Sequence, residues 1–159
     1  MQSLLVGAAA PDRITFGGAG TIEIYGFAPG ESVFGTIQFP HTYKEETDIE
    51  PHIHFCPTTA DVGNLKWELE YYWLNVGGSA AGSPTTITTE VQTSGTAWVS
   101  AIAGFDAVVG TGKLISSQLV FRLGRVAASS DEFTGDGALM EFDCHHKVDA
   151  MGSYLEFTK

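Results

Sequence analysis

Hydrophobic and polar residues alternate over two long stretches in the first half of the chain. Over residues 65–74, every second residue from Leu65 to Trp73 is large and apolar, and lysine, glutamate and tyrosine occupy the positions between them. Residues 49–56 alternate in the same way, with histidines on the polar side. Because successive side chains of a β-strand point to opposite faces, both stretches are predicted to form half-buried strands. Burial would contribute roughly 1.5–3 kcal/mol for each large side chain, so we expect the apolar face of residues 65–74 to lie at the centre of the core.

Shorter alternating segments predict further strands along the rest of the chain, at residues 21–27, 32–39, 85–92, 98–102, 119–123 and 138–148. Turns rich in glycine and proline separate these segments, and no stretch shows a convincing helical period. About eight short strands of this kind indicate an all-β fold, an antiparallel β-sandwich. Several long connections favour a jelly-roll-like arrangement over an up-and-down barrel. We expect one domain over residues 1–159, in which residues 1–16 form an extended N-terminal arm or a first edge strand.

The composition suits such a fold and argues against several kinds of partner. Hydrophobic residues make up 43% of the 159 residues and charged residues only 17%. The formal net charge of −11 disfavours binding to nucleic acid and to anionic membranes, because an acidic surface repels phosphate groups. No stretch approaches the ~20 apolar residues of a membrane span, so we expect no membrane partner. Two cysteines do not make a disulfide framework.

The histidines are the residues with the clearest chemical potential. His52 and His54 share one face of their predicted strand, and Cys56 continues that row. A second cluster includes Cys144 and His146 in the last long strand. If the two strands are neighbours, His52, His54 and His146 could bind a transition metal such as zinc or iron, which accepts imidazole and thiolate ligands. The alternative is that the histidines only form hydrogen bonds within the sheet and that the cysteines are buried as small hydrophobic residues. No other cofactor is predicted.

Two aromatic residues are candidates for a protein interface. The alternation over residues 65–74 directs Trp67, Tyr71 and Trp73 to the core and leaves Tyr72 on the opposite face. Trp98 begins a separate short segment. We therefore expect Tyr72 and Trp98 to be exposed or to contact a partner, because aromatic residues are enriched at interfaces. The alternative for the aromatic residues of this region is a platform that stacks on sugars.

Motifs of common enzyme classes are absent from the sequence. It contains neither a P-loop, nor a dinucleotide-binding glycine motif, nor a nucleophile elbow. A cupin-type metal enzyme also carries a His-x-His on a strand, but it needs an acidic residue shortly after the second histidine, where Thr58 and Thr59 stand. We therefore expect no enzymatic activity, and a metal-dependent β-barrel enzyme is the remaining catalytic alternative.

Three segments resemble those of a group of uncharacterised tailed-phage and prophage proteins. They are FPHTYKE with the following TDIEPHIHFCPTTADVGNLKWELEYYWLNVG, then GTGKLISSQLVFRLGRV, then the closing LMEFDCHHKVDAMGSYLEFTK. In the last segment of the group, a histidine-containing strand leads to an aspartate, a Gly-Ser pair and a terminal lysine. The matching residues here are His145 or His146, Asp149, Gly152, Ser153 and Lys159. The resemblance covers most of the chain from about Phe39 onward. The chain departs from the pattern at Phe55, where tryptophan is frequent, and at its two cysteines.

The resemblance implies a virion structural protein that acts by adhesion between proteins. Phage exteriors reuse small jelly rolls as trimeric capsid decoration (cement) proteins, as head-fibre knobs and as tail-fibre tips. A chain of 17.0 kDa without a long shaft favours the decoration or head-fibre type. The expected partners are then two further copies of the chain and the major capsid protein or other virion proteins, on the exterior of a particle assembled in the host cytoplasm. A tail-fibre module that recognises host carbohydrate is the alternative.

Overall fold

A computed structural model describes residues 4–153 and 155 of the chain. The described residues form ten β-strands in two antiparallel sheets of five strands each, so the predicted all-β sandwich is confirmed. The strands are β1 (Leu5–Val6), β2 (Asp12–Thr15), β3 (Glu23–Phe27), β4 (Ser32–Gln38), β5 (Ile49–Pro57), β6 (Asn64–Leu74), β7 (Thr85–Gln92), β8 (Ala101–Gly104), β9 (Gln118–Val126) and β10 (Gly137–His146). A 3-10 turn, Phe16–Gly18, follows β2.

Strand order in both sheets departs from sequence order. The first sheet has the order β1-β4-β9-β6-β7, and the second has the order β2-β3-β10-β5-β8. Apart from the hairpins β2–β3 and β6–β7, each connection therefore passes from one sheet to the other. This crossing brings β5 and β10, which are distant in sequence, next to each other in the second sheet.

The N-terminal segment accounts for the two strands beyond the predicted eight. β1 pairs with β4 at the edge of the first sheet, and β2 pairs with β3 at the edge of the second. From residue 4 onward, the segment therefore forms edge strands rather than an extended arm. Residues 1–3 of the predicted arm and Lys159 of the closing segment lie outside the described residues.

The two long strands predicted from alternation face each other across the sandwich. β5 belongs to the second sheet and β6 to the first, and their apolar faces meet in the core. Trp67 is fully buried, with ring centroids 5.4 Å from Phe27 and 5.8 Å from Phe55. The expected central position of the apolar face of β6 is confirmed, because Leu65, Trp67 and Leu69 are all 0% exposed.

A second cluster closes one end of the sandwich. It contains Phe39, Tyr43, Ile49, Trp73, Val108 and Leu119. The Trp73 indole donates a hydrogen bond to the Ser117 hydroxyl at 2.9 Å, and the ammonium of Lys113 lies 5.7 Å from the centre of the Trp73 ring system. This aromatic end layer fixes the connection between β4 and β5, and therefore the point at which the histidine-bearing strand begins.

Candidate metal site

The two histidine-bearing stretches lie side by side in the second sheet. β5 and β10 are antiparallel neighbours, and their register places Asp143 opposite His52 and His145 opposite Glu50. Since the apolar side of β5 faces the core, its alternate residues His52 and His54 point to the outer face of the sheet. The sequence condition for a metal site, that these strands are neighbours, is therefore met.

A β-bulge at Met140 decides which side chains of β10 share that outer face. Leu139 pairs with Phe55 and is buried, whereas Glu141 pairs with His54 and is exposed. Met140 is the additional residue between these two pairs. In a regular strand without the bulge, Glu141 would point to the same side as Leu139, because residues two positions apart share a face. The bulge thus directs the polar residues that follow it outward, toward the histidines.

The polar atoms of this cluster converge on one carboxylate. His52 Nε2 lies 3.1 Å from Asp143 Oδ1, and His54 Nε2 lies 3.9 Å from Asp143 Oδ2. One ligand atom from each of these residues lies within 4.8 Å of the others. The His52 ring is also 5.1 Å from the His54 ring and 4.4 Å from the His145 ring, measured between centroids. The cluster therefore joins three imidazoles and one carboxylate on a single face.

The cluster is partly sheltered and opens to solvent on one side. His52 is 7% exposed, whereas the side chains of His54 and Asp143 are 31% and 37% exposed. On the other flank of β5, Gly104 of β8 lies opposite His52. Next to it is a hollow of about 440 Å³ whose lining includes His52 and His145. A ligand or a side chain from outside could reach the cluster through this hollow.

Two imidazoles and a carboxylate can act in two ways. Without a metal, His52 Nε2 and the Asp143 carboxylate form a close polar contact of 3.1 Å across the two strands. With a metal, the same three groups form a ligand set that suits Zn²⁺ or another divalent transition metal and leaves coordination positions open. The ring of His52 has its Nδ1 turned toward the carbonyl oxygen of Glu50, 3.5 Å away, which leaves Nε2 directed at the cluster.

The structure does not bring His146 together with His52 and His54. His146 lies on the inner side of β10, where its ring is 6.0 Å from the rings of both Phe39 and Tyr43. His145 and His146 are adjacent in β10 and therefore point to opposite faces of the sheet. His146 therefore contributes to the aromatic end layer, and His145 is the residue that contacts His52.

The cysteines do not complete a metal site either. Cys56 is 1% exposed and lies under Met140, with 3.5 Å between the two sulfur atoms. Cys144 lies on the inner side of β10, and burial together with the charge of Asp143 raises its pKa to about 12. Burial also raises the pKa of the Cys56 thiol. Both thiols are therefore protonated at neutral pH and pack as small apolar groups, buried at Cys56 and half-buried at Cys144.

The two candidate interface residues are both half-buried. The Tyr72 hydroxyl donates a hydrogen bond to the carbonyl oxygen of Gly82 at 2.7 Å, on the outer face of the first sheet. Trp98 packs edge-on against Phe16, with 5.5 Å between ring centroids. Trp98 was predicted to begin a strand, but β8 begins only at Ala101, because Trp98 adopts a left-handed φ of 61° in the preceding turn. An interface role for either residue stays a prediction.

Sequence reasoning missed Asp143 and His145. A signal for both was present, because they alternate with the apolar residues of β10, as His52 and His54 alternate with those of β5. Matching the polar face of one strand with the polar face of its neighbour would have selected Asp143 and His145 in place of His146.

Comparison with protein-family models, with curated proteins and with solved structures finds no match to this chain. The resemblance to tailed-phage proteins therefore stays a prediction. None of the helical segments that the structure describes is long and apolar enough to cross a membrane.

Proposed function

We propose that this protein is a structural component of a tailed-phage particle, an exterior jelly roll of the capsid-decoration or head-fibre type. It acts by adhesion to other proteins, as a homotrimer, and carries out no reaction. The observation that carries the proposal is the order of the strands, and the three segments that resemble phage proteins add to it.

The strand order supports a jelly roll once the two short N-terminal strands are set aside. The remaining eight strands form the four-stranded sheets β3-β10-β5-β8 and β4-β9-β6-β7. In a jelly roll, eight strands form two interleaved Greek keys, so that the chain repeatedly crosses between two four-stranded sheets. Capsid proteins, lectins and cupins all use this fold, so the strand order carries the jelly-roll assignment and the phage-like segments favour the capsid and fibre class among them.

The exposed apolar residues of the first sheet support association with other proteins. Leu5 of β1 is 66% exposed and pairs with Phe34 of β4, which is 39% exposed. Val120 on the adjacent strand β9 is 42% exposed. These side chains run from the edge strand β1 across β4 to the central strand β9, and large exposed apolar side chains on neighbouring strands are a feature of protein contact surfaces. We assign this edge, which includes the N-terminal strand β1, to the contact between copies or with the capsid.

The proposal is tested by the mass of the protein in solution and by its location. Native mass spectrometry at micromolar concentration should give three times the mass of one chain. The double variant Leu5→Asp and Phe34→Asp should have the mass of a single chain. A matched control is Ile22→Asp, at a residue that is 70% exposed and directly precedes β3 of the second sheet. Antibody labelling should then find the protein on the exterior of particles of the phage whose genome encodes it. A stable monomer that is absent from those particles would refute the proposal.

A further inference from the structure

We propose that His52, His54 and Asp143 form a binding site for one divalent transition-metal ion of the Zn²⁺ class on the outer face of the second sheet. The inference depends only on the geometry of a single chain. It holds whether or not the protein is a virion component.

The distances between the polar atoms are close to those of a metal's ligand shell, within about 1.5 Å. Nitrogen and oxygen ligands lie about 2.0–2.2 Å from zinc, so two ligands at a tetrahedral angle are roughly 3.3–3.5 Å apart. In the protein, the Nε2 atoms of the two histidines lie 3.1 and 3.9 Å from the two oxygens of one carboxylate. One atom from each of the three residues lies within 4.8 Å of the others, which small side-chain rotations would reduce to the ligand spacing.

A histidine–aspartate hydrogen bond by itself does not account for the whole arrangement. The contact between His52 and Asp143 at 3.1 Å has hydrogen-bond length, but that between His54 and Asp143 at 3.9 Å is too long. His54 is nevertheless turned toward the second oxygen of the same carboxylate. A cation between the three groups would accept a lone pair from both imidazoles and from the carboxylate at once.

The backbone holds the ligands in place without a metal. All three residues lie on adjacent, hydrogen-bonded strands, and the register that opposes His52 and Asp143 continues on both sides of that pair. Sites built on strands vary less in geometry than sites on loops. The ligands are also of mixed nitrogen and oxygen type, which favours Zn²⁺, Co²⁺ or Ni²⁺ over Mg²⁺ and Ca²⁺, whose sites consist of oxygen ligands.

Three protein ligands leave at least one coordination position open. The opening lies toward solvent, beside His145 and the side-chain-free position of Gly104. A water molecule or a group from another molecule would occupy it, as in sites that keep an exchangeable fourth ligand.

The experiment measures metal uptake by a chain without a polyhistidine tag. After dialysis against Zn²⁺ and removal of free metal, elemental analysis should find one zinc per chain, and Mg²⁺ or Ca²⁺ in large excess should not displace it. Bound Co²⁺ should give the visible absorption of a low-coordinate nitrogen and oxygen site. Titration against a chromogenic chelator should show affinity at least about 100-fold lower for His54→Ala and for Asp143→Asn.

The matched control is His146→Gln, at the histidine three residues after Asp143 that points to the other face. It should bind zinc as the natural chain does. His54 and Asp143 are on the surface, and circular dichroism would establish that their variants are folded. Affinity should also fall as the pH is lowered from about 7.5 to about 5.5, because metal ligands must be unprotonated. The proposal is overturned if the natural chain retains no stoichiometric metal, or if His54→Ala binds as tightly as His146→Gln.

Discussion

Replacing the buried Arg125 by methionine is expected to destabilise the sandwich by about 3–5 kcal/mol, because three backbone carbonyl oxygens would lose their hydrogen-bond donor. Arg125 lies in β9 and is 0% exposed. Its guanidinium donates hydrogen bonds to the carbonyl oxygens of Phe27 at 2.9 Å and Gly135 at 2.6 Å, and also to that of Phe133. A further donor lies 2.6 Å from the carboxylate of Glu132. One side chain thus ties the loop before β10 to the end of β3.

The magnitude follows from the groups that methionine would leave without a partner. Each buried carbonyl that loses its donor costs about 1–3 kcal/mol, and three carbonyls are involved. Local rearrangement of the loop would let water reach some of them, which keeps the total below the simple sum. The side chain of Glu132 is 36% exposed, so solvent screens its charge and its loss of a partner contributes the smaller share.

A matched control lies three residues earlier on the same strand. Arg122 points to the outer face of the first sheet, where it contacts Glu68 at 2.8 Å and Glu70 at 3.6 Å with its side chain 29% exposed. Arg122→Met should cost less than about 1 kcal/mol, because exposed ion pairs contribute little. The two variants remove the same charge from the same strand and differ mainly in burial.

The assay is urea unfolding followed by tryptophan fluorescence, with the midpoint and slope compared among the variants. A domain of ordinary stability, about 5–15 kcal/mol, would leave Arg125→Met folded but near the lower limit. Arg125→Lys provides a second measurement, since it keeps the charge but cannot reach all four acceptors, and it should fall between the natural chain and Arg125→Met. Equal costs for Arg122→Met and Arg125→Met would refute the reasoning.

Three further substitutions test the core, a close backbone contact and a titrating surface group. Trp67→Phe should lower the free energy of unfolding in urea by less than about 2 kcal/mol, because the substitution removes a buried indole N–H that has no hydrogen-bond partner among the described residues. Gly110→Ala should abolish stable folding, as measured by circular dichroism, because the added Cβ would lie 1.8 Å from the carbonyl oxygen of Thr47. The control Gly104→Ala should leave Tm unchanged, because its Cβ would meet no atom within 4 Å. A hydrogen bond from Ser129 lowers the pKa of Glu90, so this carboxylate stabilises the fold at neutral pH and the contribution disappears as the pH falls through the folded pKa. Ser129→Ala should therefore raise the Glu90 pKa in an NMR titration, and an unchanged value would contradict the assignment.

The faces of the long strands could be predicted from sequence because alternation leaves a strand only one way to bury its apolar side. Leu65, Trp67 and Leu69 are buried as expected, and so are Ile53 and Phe55 on the opposing strand. Short strands carry too few residues for a clear period. β1 has two residues and β2 has four, so their pairing with the sheet edges could not be distinguished from an extended arm.

The burial of Arg125 could also be predicted from alternation alone. Arg125 follows Leu119, Phe121 and Leu123 at alternate positions, so the period assigns it to the core side of β9. A charged residue at such a position has to be paired or hydrogen-bonded, because an isolated buried charge is too costly. The sequence does not reveal its partners, which come from a carbonyl of β3 and from the loop before β10.

The histidine cluster depends on register, and register is the property that a single sequence specifies least. The pairing of β5 with β10 joins residues about 90 positions apart in sequence, through a strand order that only the whole sandwich fixes. Within that pairing, the bulge at Met140 reverses the face of every later residue of β10. Leu139 before the bulge and Phe142 after it both face the core, although three positions apart, so no uninterrupted alternation contains both. The local period around Phe142 still assigns Asp143 and His145 to the outer face. The outer-face positions of Asp143 and His145 can therefore be derived from sequence, whereas the structure had to supply both the neighbouring strand and the register that brings Asp143 opposite His52.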